Sequence, residues 1–205
     1  MVPVAVAVAA AGCGGSGAST ASKTRAGPYD RALAQRVLRA GEFPGYTPPS
    51  GGRVDADPRA WSQEVGPPVD PAMEAARLRR AGFVGGLAEY LPRTAGTGEA
   101  LSVVVRFGSP AAARHEVIVF RAKVRAAHSA PGDVFATFTA PAIPGARAYA
   151  LSSNGNEGLD VTFADGPYYF LVGAGGPAGA PDAATRAQLL AAAATLYRRV
   201  HRLHR

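Results

Sequence analysis

The chain has one cysteine and no long apolar run, and each shortage excludes a class of protein. Cys13 is the only cysteine among 205 residues, so no disulfide can form within the chain. The apolar run of residues 2–11 is too short for a membrane-spanning helix, which needs about 20 residues. We therefore expect neither a disulfide-stapled scaffold nor a transmembrane helix.

Lysine is scarce as well. Only Lys23 and Lys123 among the 22 basic residues are lysines, and alanine is abundant, a composition typical of GC-rich codon usage and of actinobacterial genomes. The net charge of +7 favours contact with polyanions such as nucleic acid, anionic lipid head groups or anionic cell-wall polymers. The location of the protein decides which of these partners it meets.

The N-terminal segment has the features of an export signal. The apolar run ends at Ala10-Ala11-Gly12-Cys13, and a Gly/Ser-rich stretch without packing capacity follows it. This arrangement resembles the lipobox of bacterial lipoproteins. The resemblance implies that the sulfur of Cys13 receives a diacylglycerol and that Cys13 becomes the mature N-terminus.

These features divide the chain into a signal peptide (1–12), a flexible tether (13–27) and a single α+β domain (28–205). They predict a lipoprotein held at the outer face of the cell membrane, because a diacyl anchor supplies the two chains that stable attachment requires. The alternative is a secretory signal cut after Ala9-Ala10-Ala11, which would release a soluble secreted protein.

The pattern of apolar residues in the domain predicts helices followed by mostly β structure. We predict an α+β fold in which an antiparallel sheet of about five strands carries helices on one face. The predicted helices are 29–40, a short one after Asp57-Pro58, 70–91, 109–127 and one from Asp182 onward. The predicted strands are 101–107, 134–139, 146–152, 159–164 and 168–173, with a flexible loop over 173–181.

A second resemblance covers roughly residues 40 to 200. The run Arg77–Gly86, the strand-helix unit 101–113, the Ile143-Pro144-Gly145 turn and the hairpin 163–170 resemble uncharacterised secreted proteins of high-GC Gram-positive bacteria. The resemblance implies export and a shared fold. It transfers no site residue.

Neither a cofactor nor a metal site is predicted. His201 and His204 share a helix face, but no third ligand lies near them in the sequence. The oxygen-rich segment 154–160 does not fit the EF-hand pattern, and a hairpin turn explains it better. The glycines of 173–178 match G-x-G-x-x-A, but Pro177 and Pro181 separate them from the helix that a dinucleotide site needs.

The sequence also lacks a recognisable catalytic set. No Ser, His and Asp stand in a nucleophile elbow, and nothing in the sequence selects a carboxylate pair among Asp160, Asp165 and Glu157. The leading prediction is therefore a non-enzymatic domain that binds a ligand or the cell envelope. The alternative is an extracytoplasmic hydrolase with an unrecognised site.

Two groups of residues are candidates for binding. The aromatic residues Tyr149, Tyr168, Tyr169 and Phe170 are predicted to line a ligand groove, with core packing as their other use. Arginines fall on two predicted helices, where they form a solvated face or bind anionic lipid or cell-wall polymer. Nucleic acid is not expected, because export removes it and no aromatic residues alternate with the arginines.

Overall fold

The computed structural model describes residues 28–47, 52–64, 70–177 and 183–203. Seven strands form one antiparallel sheet in the order β1-β2-β3-β7-β6-β5-β4, which confirms the α+β prediction. Cys13, the signal peptide and the tether lie outside the described residues. In chain order the elements are α1 Pro28–Ala34, β1 Arg53–Asp55, α2 Pro58–Glu64, α3 Pro71–Arg80, β2 Phe83–Pro92, β3 Glu99–Phe107, α4 Pro110–Ala127, β4 Val134–Phe138, β5 Arg147–Ser153, β6 Asn156–Asp165, β7 Tyr168–Pro177 and α5 Ala183–Arg202.

The helices of the described segments are all too short or too polar to cross a membrane. The two longest, α4 and α5, are amphipathic instead, and each buries an apolar stripe against the sheet.

The sheet has seven strands where the sequence predicted about five, because the prediction missed β1 and β2. The predicted helix 70–91 is wrong beyond Arg80. Asp70 caps α3, since its carboxylate accepts hydrogen bonds from the backbone N–H groups of Ala72 and Met73. Gly82 then takes a φ of +75°, which ends the helix and turns the chain into β2.

Helices cover both faces of the sheet, so the prediction of one covered face is wrong. Alternate residues of β7 point to opposite sides, with Tyr168 and Phe170 in one core and Tyr169 and Leu171 in the other. We call these cores the α5 side and the α4 side, after the helix that packs on each. The central strands are apolar at nearly every position because neither side meets water.

Strand β7 extends further than the sequence indicated. Gly173 to Pro177, predicted as a loop, continue β7 and pair with β3 and β6. The glycine at position 173 leaves room for a side chain of the neighbouring strand. A Cβ at this position would lie 2.5 Å from a carboxylate oxygen of Asp160, its partner on β6. The rest of the predicted loop, and Asp182 at the predicted start of the last helix, lie outside the described residues.

The hairpin turns confirm the local sequence signals. Asn154 and Gly155 join β5 to β6 with φ angles of 53° and 74°, which fits the turn interpretation of 154–160. Gly166, at φ 55°, follows Asp165 and joins β6 to β7. Both turns place small or polar residues where left-handed backbone is required.

Helix α1 and the segment that follows it, up to Glu42, pack against α5. Helix α1 ends at Ala34 rather than Ala40, but Leu33, Val37 and Leu38 are buried as its spacing predicted. The backbone N–H of Leu38 donates to the Ser102 hydroxyl of β3 at 3.0 Å, which fixes the segment to the sheet.

Candidate anion-binding cleft

The four aromatic residues predicted to line a groove lie in the two cores instead. Tyr149, Tyr168, Tyr169 and Phe170 are each less than 10% exposed. Tyr168 and Phe170 pack on the α5 side, whereas Tyr149 and Tyr169 pack on the α4 side, where both rings contact Phe120. The structure therefore does not assemble these four rings into one exposed groove.

A row of polar residues crosses the α4 side of the sheet. Thr137 of β4 pairs with Tyr149 of β5, Tyr149 pairs with Asp160 of β6, and Asp160 pairs with Gly173 of β7. The Asp160 carboxylate forms no hydrogen bond with any described residue, and burial raises its pKa to about 7. The row therefore contains a carboxyl group that titrates near neutral pH.

The two tyrosines of the α4 side have buried hydroxyl groups. Neither hydroxyl finds a partner of good hydrogen-bond geometry within the described part of the chain. Burial raises the pKa of Tyr149, and the nearby Thr162 hydroxyl and the charges of Arg121 and Arg147 partly offset the rise. Burial also raises the pKa of Tyr169. Both phenols are therefore neutral at physiological pH.

Arg77, one of the helix arginines considered for binding, is committed to an ion network between α3 and α4. Its guanidinium donates to Glu116 at 2.6 and 2.8 Å and to Glu74 at 2.7 and 2.9 Å, and Lys123 completes the network through Glu74. Burial raises the pKa of Glu116 even though Arg77 lies beside it. This network joins two helices and leaves Arg77 unavailable to a ligand.

Arg199 of α5 is committed in the same way. Its guanidinium donates to both carboxylate oxygens of Glu42, at 2.8 and 2.9 Å, and to the backbone carbonyls of Val37 and Gln35. These bonds hold the segment after α1 against α5. For Arg77 and Arg199, the role of the positive charge is therefore structural.

The candidate site is an open cleft at the β4 edge of the sheet, with a volume of about 390 Å³. The end of β4, the turn after it, the start of β5 and one residue of α4 form its walls. We call it the Arg121–Arg147 cleft. Its lining residues are Arg121, Thr137, Phe138, Thr139, Ala140, Pro141, Ala146, Arg147 and Ala148.

The two arginines of the cleft come from different elements and remain available. Arg121 lies on α4 and Arg147 begins β5, and both side chains are exposed. Neither guanidinium forms an ion pair or a hydrogen bond with the residues that the structure describes. No acidic residue lines the cleft among those that the structure describes, so the charged part of this described lining is positive.

The cleft combines these charges with hydroxyl groups and an apolar wall. Thr137 of β4 and Thr139, which follows the strand directly, add hydroxyl groups to the lining. Alanines, Pro141 and Phe138 supply the apolar part, and Arg186 of α5 lies over the Phe138 ring at 4.9 Å. Chemically, the arrangement suits an anionic group attached to a small carbon skeleton.

The remaining sequence candidates do not form one site. Asp160 points to the α4 side, whereas Asp165 belongs to the opposite face and bonds His201 at 3.1 Å. His204 lies outside the described residues. Across the described ranges, no three His, Cys, Asp or Glu side chains are grouped so that they could hold a metal ion.

Sequence reasoning missed the cleft. Arg121 lies in the predicted helix 109–127 and Arg147 in the predicted strand 146–152, and nothing in the sequence relates the two residues. The signal was present in β5, where Arg147 is a charged residue directly before the apolar run Ala148-Tyr149-Ala150-Leu151. Only the pairing of β4 with β5 brings Thr137 and Arg147 to the wall that α4 completes.

The comparisons with known proteins give little more. No protein-family model matches the chain, and no curated protein sequence matches it. The crystal structure of the extracellular domain of PknH from Mycobacterium tuberculosis is similar to this chain with a TM-score of 0.43 and 11% sequence identity. The similarity covers 73% of this chain and 79% of that chain.

Proposed function

We propose that the protein is a lipid-anchored, extracytoplasmic binding domain that holds an anionic ligand of the cell envelope in the Arg121–Arg147 cleft. One observation carries the binding function. Two exposed arginines from separate elements line a cleft without an acidic neighbour and without a partner among the described residues. The anchor at Cys13 rests on the lipobox resemblance alone.

The charge of the whole chain supports an anionic ligand. A net charge of +7 raises the concentration of anions near the surface, and anionic lipids and cell-wall polymers are the polyanions that an exported protein meets. Because Arg77 and Arg199 are tied into ion pairs, the cleft arginines are better placed to contact such a ligand.

A hydrolase is the second candidate, and one observation favours it. Asp160 has a pKa of about 7, as a general acid would need. However, Asp160 is not among the residues that line the cleft. A ligand in the cleft would therefore be bound without meeting this carboxyl group, which supports binding over hydrolysis.

The test measures binding of full-length protein, kept in detergent, to an anionic cell-wall polymer immobilised on beads. The double variant Arg121→Gln/Arg147→Gln should bind at least about tenfold more weakly, because each lost charge-assisted hydrogen bond contributes about 1.5 kcal/mol or more. The matched control is Arg114→Gln/Arg125→Gln, which removes the same charge from exposed positions of α4 outside the cleft lining.

The control should bind within about twofold of the wild type at moderate salt, because neither of its guanidinium groups lines the cleft and salt weakens the effect of exposed charges that do not touch the ligand. If both double variants lose affinity equally, the net charge of the molecule governs binding and the cleft does not. If the wild type does not bind any anionic envelope polymer or lipid, the proposed function is wrong.

A further inference from the structure

We infer that the Arg121–Arg147 cleft recognises a phosphate monoester carried on a sugar or polyol. The inference rests on the proposed function and names the chemical class of its ligand. It follows from the charge balance of the cleft, from its hydrogen-bond donors and from its size.

The charge balance favours a dianion. Arg121 and Arg147 bring two positive charges to the cleft, and none of the described lining residues carries a carboxylate that would offset them. A phosphate monoester carries close to two negative charges at pH 7, whereas a carboxylate or a phosphate diester carries one. A monoester therefore neutralises both guanidinium groups, and a monoanion leaves one of them uncompensated.

The donors of the cleft match a tetrahedral oxyanion. A guanidinium presents a fork of N–H groups that fits two phosphate oxygens, and two such forks approach this cleft from α4 and β5. The hydroxyls of Thr137 and Thr139 can donate to a third oxygen. A planar carboxylate has only two oxygens and cannot use this many donors.

The size and the apolar wall require more than an inorganic ion. A volume of about 390 Å³ lies within the range of sites for small organic ligands and exceeds what a bare phosphate fills. Pro141, Ala140 and Ala146 form a wall without polar side chains that can contact the C–H groups of a sugar ring or a polyol. The phosphate therefore arrives attached to a carbon skeleton.

The test is calorimetric titration of full-length protein in detergent with four probes. The probes are glucose 6-phosphate, its methyl phosphodiester, glucuronate and inorganic phosphate. We expect glucose 6-phosphate to bind about tenfold more tightly than the other three, since each competitor lacks either the second charge or the carbon skeleton. Arg121→Gln and Arg147→Gln should each remove most of this preference, and Arg114→Gln should not.

A pH series provides an independent readout. The second ionisation of a phosphate monoester has a pKa of about 6, so its advantage over the diester should shrink between pH 7.5 and 5.5. Asp160, on the polar row next to the cleft, loses negative charge over the same range, which favours the dianion, and Tyr149 stays neutral, so neither group can make this advantage shrink. The ratio of the two affinities therefore reports mainly the charge of the ligand.

The outcomes separate this inference from the proposed function. Equal binding of the monoester and the diester, or of the monoester and glucuronate, overturns the monoester while anion binding stands. Equal binding of inorganic phosphate overturns the carbon skeleton. If an anionic envelope polymer binds and none of the four probes does, the inference fails alone. If nothing binds, both fail.

A vesicle arm distinguishes the source of the ligand. Phosphatidic acid presents the monoester on a membrane, and phosphatidylglycerol presents a diester. If the protein binds phosphatidic acid vesicles more tightly than glucose 6-phosphate, the monoester belongs to a lipid head group. If it binds glucose 6-phosphate more tightly, the monoester is carried on a sugar. Equal binding of the two vesicle types, lost in Arg121→Gln, overturns the inference.

Discussion

At the scale of single residues, Asp160 makes the stability of the fold depend on pH. Its carboxylate lies over Gly173 on the covered α4 side and finds no hydrogen bond among the described residues. Burial raises its pKa from 3.8 to about 7, so between these pH values the folded protein keeps a proton that the unfolded chain releases. The contribution of Asp160 to stability is therefore most favourable below about pH 4 and declines as the pH rises to about 7.

Replacing Asp160 by Asn should remove this pH dependence. We expect Asp160→Asn to be more stable than the wild type at pH 8 by roughly 1–3 kcal/mol, because the amide never has to ionise in the buried site. The two proteins should converge near pH 4. Urea unfolding followed from pH 4 to pH 8 measures the difference, and parallel pH profiles would contradict the assignment.

At the scale of elements, one arginine joins two distant parts of the chain. Arg199 connects α5 to Glu42 and to the carbonyls of Gln35 and Val37. Burial opposes ionisation of Glu42, but the hydrogen bonds from Arg199 and from the backbone of Arg39 outweigh it and lower the pKa of Glu42. The stabilisation is therefore present above the unfolded-state pKa of 4.5 and is lost as the pH falls further.

Removing this guanidinium should loosen the segment after α1. We expect Arg199→Gln to lower the free energy of unfolding by about 2 kcal/mol at pH 7, because a partly buried carboxylate and two carbonyls lose their donor. The control is Arg198→Gln, which should change stability by less than about 0.5 kcal/mol, because the exposed guanidinium of Arg198 bonds Thr195 alone among the residues that the structure describes. Equal losses in the two variants would exclude a specific clamp.

The elements that could be predicted are those with one clear period or one clear turn. Helix α4 matches its predicted range because Ser109 caps it and its apolar stripe is regular. The prediction of one helix over 70–91 is wrong because an apolar run after a capped helix fits a buried strand as well as a longer helix. The φ of Gly82, which decides between them, depends on its hydrogen bond with Gly108 and the pairing of β2 with β3.

The packing of Trp61 shows why β2 is hard to predict from the sequence. The indole ring of Trp61, on α2, lies over Gly86 of β2, where a Cβ would come within 2.6 Å of the ring. The Gly85-Gly86 pair, which weakens a strand prediction, is therefore what allows α2 to pack there. The candidate cleft could not be predicted for a related reason, since Arg121 and Arg147 are brought together only by tertiary structure.

At the scale of the whole molecule, the described residues form one sheet with helices on both faces, and the two arginines of the cleft lie at its β4 edge. Edge β1 is short, and its neighbour β2 lies under Trp61 of α2. Edge β4 is longer and borders the Arg121–Arg147 cleft. A ligand at this edge needs no rearrangement of either core.

Native mass spectrometry of the protein, extracted with mild detergent from its own membranes, tests the central claim most directly. A lipid-anchored binding domain predicts a chain that begins at Cys13, carries a diacylglycerol and retains an anionic ligand that Arg121→Gln/Arg147→Gln loses. A Cys13 with a free thiol, together with a ligand-free mass or a ligand that the double variant retains, would contradict it.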